Sequence, residues 1–276
     1  MIIDSHHHFW VYDPVAFDWI DDSMKTIRRD FLPHDLREVL AASGVDQAIS
    51  VQARQTPEET SWLSELAEEP HELIECVVGW VDLRSPDIDA RLSELAGSSL
   101  VGVRHIAQAE PDDRFLIRDD FQRGLRALRR YDLVYDILIY ERHLPVAIEL
   151  VDAHPDQPFV LDHIAKPDLR GGQRSAWEGP LRELARRENL SCKLSGVVTE
   201  ADFEHWTPEQ IRPYLDVVLE AFGPSRLMFG SDWPVCLVAI DYPRWLDIVR
   251  DLIAPLSQEE RSAILGDTAR EVYALG

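Results

Sequence analysis

The feature that most constrains this chain is an alternation repeated eight times. A run of five to eight apolar, largely β-branched residues is followed by an amphipathic stretch of ten to fifteen. The apolar runs are Met1–Asp4, Val45–Gln52, Leu73–Asp82, Leu100–His105, Leu133–Tyr140, Pro158–His163, Leu190–Ser195 and Arg226–Ser231. They are continuous rather than alternating, as parallel strands covered on both faces are. Between them, His34–Ser43, Glu58–Glu69, Pro86–Ala96, Ile117–Tyr131, Leu144–His154, Trp177–Glu188, Pro208–Phe222 and Pro243–Ile253 carry apolar residues at helical spacing, and Gln258–Ala274 reads as a closing helix. Eight strands, each followed by a helix, predict a single (β/α)8 barrel spanning residues 1–276. An open doubly wound sheet would more naturally place a glycine-rich turn after its first strand. Here that position reads His6-His7-His8.

The barrel makes the histidines informative, because its chemistry lies at the C-terminal ends of the strands. Strand one runs into His6 and His8, strand four into Arg104-His105, strand six into Asp162-His163, and strand eight into Ser231-Asp232. Closure makes strand eight a neighbour of strand one, which brings Asp232 toward His6 and His8. On an extended backbone His6 and His8 share one face, and His7 points to the other as a structural residue. His34, His71, His143, His154 and His205 stand in polar or helical settings and are expected at the surface.

Three motifs, D-S-H-H-H-F-W from Asp4, V-L-D-H-I-A-K-P from Val160 and F-G-S-D-W-P from Phe229, resemble the amidohydrolase superfamily. The likeness is to its branch of lactone hydrolases, which holds L-fuconolactone and L-rhamnonolactone hydrolases and 2-pyrone-4,6-dicarboxylate lactonase. The resemblance implies that His6, His8, His163 and Asp232 form the metal-ligand positions. It also implies that Asp232 handles the proton of an attacking water. The chain departs from the two-metal members of the superfamily: strand four has no lysine, and strand five ends without a histidine. One zinc-like divalent ion, or none, is therefore expected.

On this reading the catalytic set is Asp232, His163, His105 and Arg104, with Trp10, Gln52, Trp80 and Arg104 contacting substrate. The expected reaction is hydrolysis of a sugar-acid lactone or related cyclic ester. The alternatives are a metal-dependent decarboxylase of the same superfamily and a non-catalytic binding barrel. The long segment from Phe9 to Phe31, with Trp10, Tyr12, Phe17 and Trp19, is expected to shape the mouth of the barrel. Arg54, Asp82, Lys193, Ser195 and the basic loop at Arg170 are further polar groups near strand ends.

Composition narrows the partners. A net charge of −22 repels nucleic acid and anionic lipid, so a small molecule is the expected partner, with self-association left open. The basic residues are almost all arginine; Lys25, Lys166 and Lys193 are the chain's lysines. Cys76, Cys192 and Cys236 lie in or beside apolar runs at no ligand-like spacing, which suits buried thiols in a reducing compartment. With no membrane-length apolar stretch and no leader pattern before Asp4, the expected location is the cytoplasm.

Overall fold

A computed structural model describes residues 1–69, 73–171 and 173–275. His71, expected at the surface, lies outside the described residues. Eight parallel strands follow one another in chain order around a barrel: β1 (Ile3–His7), β2 (Gln47–Val51), β3 (Ile74–Gly79), β4 (Leu100–His105), β5 (Val134–Ile137), β6 (Phe159–Leu161), β7 (Leu190–Leu194) and β8 (Leu227–Phe229). Helices α1 (Pro33–Ser43), α2 (Pro57–Glu68), α3 (Ile88–Leu95), α4 (Asp119–Leu128), α5 (Leu144–Asp152), α6 (Arg174–Leu184), α7 (Pro208–Phe222) and α8 (Tyr242–Ile253) alternate with them. The (β/α)8 architecture is the expected one.

The barrel closes through its first and last strands. The His6 carbonyl accepts the Asp232 N–H at 2.8 Å, and the Trp233 carbonyl accepts the His8 N–H at 2.7 Å. The closure explains why β1 runs on to His7 rather than stopping at Asp4. Its later residues pair on one side with β2 and on the other with the segment after β8. A register shift between Asp4 and His7 lies in the same stretch. Strand β6 is shorter than expected because the chain turns away at Asp162.

One buried cluster joins Ile3, Ile49, Val78, Val134, Val160 and Met228 from different strands, and Ala269 and Tyr273 from the closing helix pack into it. That closing segment is interrupted. Gln258–Ser262 is α-helical, Ala263–Asp267 forms a π turn, and Thr268–Val272 resumes the α-helix. A Cβ on Gly266 would come within 2.5 Å of the Met1 carbonyl oxygen, so only glycine permits this approach. All three cysteines are buried and unpaired.

Candidate active site

Above the apolar cluster, the barrel holds a layer of buried charge. The Lys193 ammonium of β7 lies 2.5 Å from Asp136 Oδ2 and 3.1 Å from Asp162 Oδ1, with all three side chains fully buried. Arg104 on β4 is in register with Asp136 on β5, and its Nη1 donates to Asp162 Oδ2 at 3.0 Å. Tyr273 donates its hydroxyl to the Asp136 carboxylate at 2.8 to 2.9 Å. Two cations thus face two carboxylates, as a dry interior requires. Burial pushes the Asp136 carboxyl up to about 6 despite the adjoining Lys193. Burial works upward on Asp162 too, but Lys193, His6 and Arg104 outweigh it and hold Asp162 well below the usual carboxylate range.

The imidazoles rest on this layer. His6 Nδ1 lies 3.3 Å from Asp162 Oδ1, and its Nε2 faces His8 Nε2 at 3.3 Å. His8 Nδ1 is 2.7 Å from the Val51 carbonyl oxygen, an acceptor only, so Nδ1 donates there and Nε2 is aimed at the centre. Asp232 Oδ1 lies 3.3 Å from His8 Nε2, 3.8 Å from His6 Nε2 and 3.9 Å from His163 Nε2. Burial drives His6 well below its ordinary value and His163 down to about 4, so both rings are neutral near pH 7. On Asp232 burial pushes upward, but His163 and the contact with His8 outweigh it, and the group stays an anion.

His163 and Asp232 both sit in the left-handed backbone region, at φ 53° and 58°. For Asp232 this is a tolerated conformation. At His163 it opens four consecutive left-handed residues, His163, Ile164, Ala165 and Lys166. Such a turn costs roughly 1–2 kcal/mol per residue, and for the β-branched Ile164 it is an outlier. The Lys166 N–H closes it onto the His163 carbonyl at 2.8 Å, and Trp177 Nε1 donates to the Ile164 carbonyl at 2.7 Å. Gly196, at φ +60°, supplies the space: a Cβ there would stand 2.4 Å from His163 Nδ1 and 3.0 Å from Asp232 Oδ2.

A cavity of about 1000 Å³ opens above this centre, lined by His8, Arg104, His163 and Asp232 at its base. Trp19 and Met24 of the Phe9–Phe31 segment, Arg54 after β2, Tyr140 after β5 and Lys166 and Glu200 after β6 and β7 form its walls. Glu59 shapes one wall from behind, because its carboxylate accepts the N–H groups of Ala53 and Arg54 at 3.0 and 2.7 Å. Burial raises Glu59 to about 7 against the pull of those two bonds.

Of the residues expected at the site, His6, His8, Arg104, His163 and Asp232 come together. Four others do not line the cavity. His105 accepts the Trp80 Nε1–H at 3.3 Å on Nδ1, lies 2.6 Å from Glu110 through Nε2, and stacks on Phe115 at 4.5 Å. Both nitrogens of His105, expected in the catalytic set, are engaged away from Asp232. Trp80 is likewise the partner of His105 rather than a substrate contact. Gln52 is fully buried; its Nε2 donates to the Arg104 carbonyl and its own carbonyl accepts Arg104 Nη2, so it positions that guanidinium. Trp10 is buried against Phe17, Trp19 and Phe31 and donates to the Arg29 carbonyl, which leaves Trp19 as the exposed aromatic of that segment.

His7 faces away and lies 2.9 Å from the Ser50 hydroxyl. His143 and His154, expected at the surface, are buried instead, against Asp113 and Gln122 respectively. His34 and His205 are exposed. Sequence reasoning also passed over Gly196 and Glu59. Thr56-Pro-Glu-Glu59 did spell a helix-capping pattern, although Glu59 turns its carboxylate to the strand exit instead.

The donor set has the spacing of ligands around a divalent ion. A tetrahedral zinc with bonds of ~2.0–2.1 Å spaces its ligand atoms at roughly 3.3–3.4 Å. His6 Nε2, His8 Nε2 and Asp232 Oδ1 form a triangle with edges of 3.3, 3.3 and 3.8 Å. Two imidazole nitrogens facing each other at 3.3 Å are an arrangement a cation resolves, and the Val51 carbonyl behind His8 is the outer support that metal-bound histidines have. The residues fit a divalent metal. Arg104 Nη1 approaches the same His6 nitrogen at 3.2 Å, so positive charge stands there from the protein itself as well.

A family model described as amidohydrolase matches residues 3–275. L-fucono-1,5-lactonase of Burkholderia multivorans is 44% identical over 284 residues, covering 99% of this chain and 96% of that protein. The enzyme of the same name from Burkholderia ambifaria is 36% identical, covering 99% and 95%. The crystal structure of an amidohydrolase from Burkholderia multivorans with bound zinc has a TM-score of 0.96 at 43% identity, with both chains covered completely. Matched from its first strand to its closing helix, this protein belongs to the amidohydrolase family.

Proposed function

We infer that this chain hydrolyses a sugar-acid lactone by attack of water, with Asp232 as general base. The observation that carries the reading is the Asp232 carboxylate, held as an anion beside His8 and His163 at the base of a cavity of about 1000 Å³. The names of its relatives support a sugar-acid lactone as substrate.

The chemistry follows from the positions. A water against Asp232 passes a proton to the carboxylate as its oxygen bonds to the lactone carbonyl carbon. Negative charge then grows on the carbonyl oxygen. Arg104 supplies fixed positive charge for it, and His163 supplies an N–H when its Nδ1 accepts from the Ser195 hydroxyl at 2.9 Å. A divalent ion held by His6, His8 and Asp232, with His163 beside them, supplies Lewis acidity to that oxygen when bound. The same Ser195 hydroxyl also serves the other His163 tautomer, since it donates or accepts. Asp4 keeps the base in place: its Oδ1 accepts the Ser231 N–H at 2.8 Å and the His6 N–H at 3.1 Å, tying the strand-eight exit to β1.

The test is acid release from L-fucono-1,5-lactone and other aldonolactones, followed with a pH indicator before and after chelation, with metal content measured by elemental analysis. Asp232→Asn is expected to lose about 10²–10⁴-fold in kcat with the fold retained, the range for a general base. Unchanged turnover in that variant would remove Asp232 from the mechanism. Absence of acid release from every lactone would overturn the reading. The decarboxylase reading finds no support at strand five, where His143 is turned to Asp113 and belongs to neither metal-capable group among the described residues.

A further inference from the structure

The mechanism above protonates Asp232 but does not assign the donor for the second half of the reaction, for which the Asp232 carboxyl and the Lys166 ammonium are both acids. Breaking the acyl C–O bond places an electron pair on the ring oxygen of the sugar, and an alkoxide leaves poorly unless it is protonated. It also leaves unexplained why the chain tolerates four left-handed residues in a row after β6.

The turn sorts its side chains. Ile164 and Ala165 are fully buried in the core, whereas His163 and Lys166 both line the cavity. The turn thus presents two of its four side chains to the cavity and two to the core. Lys166 stands nearer the mouth than Asp232, with 14% of its side chain exposed against 4%. Its Nζ lies 3.5 Å from Glu200 Oε1 and 5.7 Å from the centre of the Tyr140 ring, which fixes the ammonium on the wall. It is close enough to act electrostatically on both Asp232 and His163.

Residue choice points the same way. This chain has 28 basic Lys and Arg residues of which three are lysine, and arginine makes exposed ion pairs such as Arg114–Glu149, Arg182–Glu220 and Arg212–Asp216. Of its three lysines, Lys193 fills the dry centre of the barrel and Lys166 faces the cavity. Arginine matches lysine as a charge but does not give up a proton in a protein.

We propose that Lys166 is the catalytic acid that protonates the departing ring oxygen, with Glu200 as its positioning residue; this rests on the lactone reading. In the balanced step, water loses one proton to Asp232 and its oxygen bonds to the carbonyl carbon. The bond from that carbon to the ring oxygen breaks, the electron pair goes to the ring oxygen, and the Lys166 ammonium gives it a proton. The product is the open hydroxy acid. The Lys166 amine then takes a proton from solvent and Asp232 releases its own.

The test measures kcat and KM of wild type, Lys166→Ala and Lys166→Arg on an aldono-1,5-lactone, with and without added ethylammonium chloride. The proposal expects Lys166→Ala to lose about 10²-fold or more in kcat with KM within about threefold. It expects ethylammonium, but not tetramethylammonium at equal concentration, to restore at least about tenfold of that loss. Lys166→Arg keeps the charge and is expected to bind normally but turn over at least about tenfold more slowly; it decides the matter if the alanine variant does not fold. Wild-type kcat in either variant overturns the proposal. So does a folded Lys166→Ala enzyme that is slow yet not rescued by ethylammonium. A wild type that opens no lactone overturns the parent reading, whereas an active wild type with indifferent variants overturns the Lys166 assignment alone.

Discussion

Replacing Lys193 by methionine tests the buried layer on which the active-site histidines rest. Methionine reproduces most of the stem volume and removes only the charge. In the intact protein the ammonium serves two carboxylates, Asp136 at 2.5 Å and Asp162 at 3.1 Å, none of them reached by solvent. After substitution Asp162 keeps Arg104 at 3.0 Å, but Asp136 retains only the Tyr273 hydroxyl. Breaking a buried pair in this way costs about 3–5 kcal/mol, a large share of the roughly 5–15 kcal/mol that holds a domain folded. The sign of the pH dependence follows from Asp136. Its folded value of about 6 lies above the ordinary 3.8 even with Lys193 present, and loss of the cation raises it further. A raised carboxyl contributes stability that is fully present below its unfolded value and lost as pH rises through the folded one. The deficit of Lys193→Met should therefore be largest at pH 8, shrink as pH falls toward about 6, and level off below it, where Asp136 is protonated in both proteins. Urea unfolding from pH 5 to 8 of wild type, Lys193→Met and Lys193→Met/Asp136→Asn measures this. The double variant is expected to recover at least about 2 kcal/mol at pH 8, because the orphaned carboxylate is gone. A single-variant deficit below about 1 kcal/mol at pH 8, or a double variant no more stable than the single, would refute the account.

Three further outcomes are expected. Gly196→Ala should lose about a hundredfold or more in kcat, since its Cβ would occupy a point 2.4 Å from His163 Nδ1 and displace that ring; activity within threefold of wild type would show that the close approach is not needed. Glu59→Gln should flatten the stability profile: with its folded value near 7 against an ordinary 4.5, wild type loses about 3 kcal/mol between pH 4.5 and 8 that the variant does not, read as the difference in urea unfolding across that range. His105→Ala should keep kcat/KM within about fivefold while losing about 2–3 kcal/mol of stability, because the stack on Phe115 and the bonds to Trp80 and Glu110 are structural; a hundredfold loss of kcat in a stable variant would return His105 to the catalytic set.

What the sequence by itself determined is the architecture and the principal polar groups at its mouth. Hydrophobic periodicity is a local property, and eight repeats of one pattern leave little choice but a barrel. The rule that barrel chemistry lies at strand ends then selects His6, His8, Arg104, His163 and Asp232 without coordinates. His105, Trp10, Trp80 and Gln52 are turned away from the cavity, because a strand-end position says nothing about which way a side chain leaves the strand or what meets it there. His105 turns to Phe115 and Glu110, partners ten and five residues away in a loop with no periodic signal. Only the tertiary structure decided the rest: the charge layer of Arg104, Asp136, Asp162 and Lys193 comes from β4, β5, the end of β6 and β7, separated in sequence by tens of residues, and its pairing of two cations with two carboxylates is visible only when they meet. Lys166 belongs to the same class. Its place on the cavity wall follows four left-handed residues, a conformation that Ile164 above all disfavours and that is held by a tryptophan on the following helix.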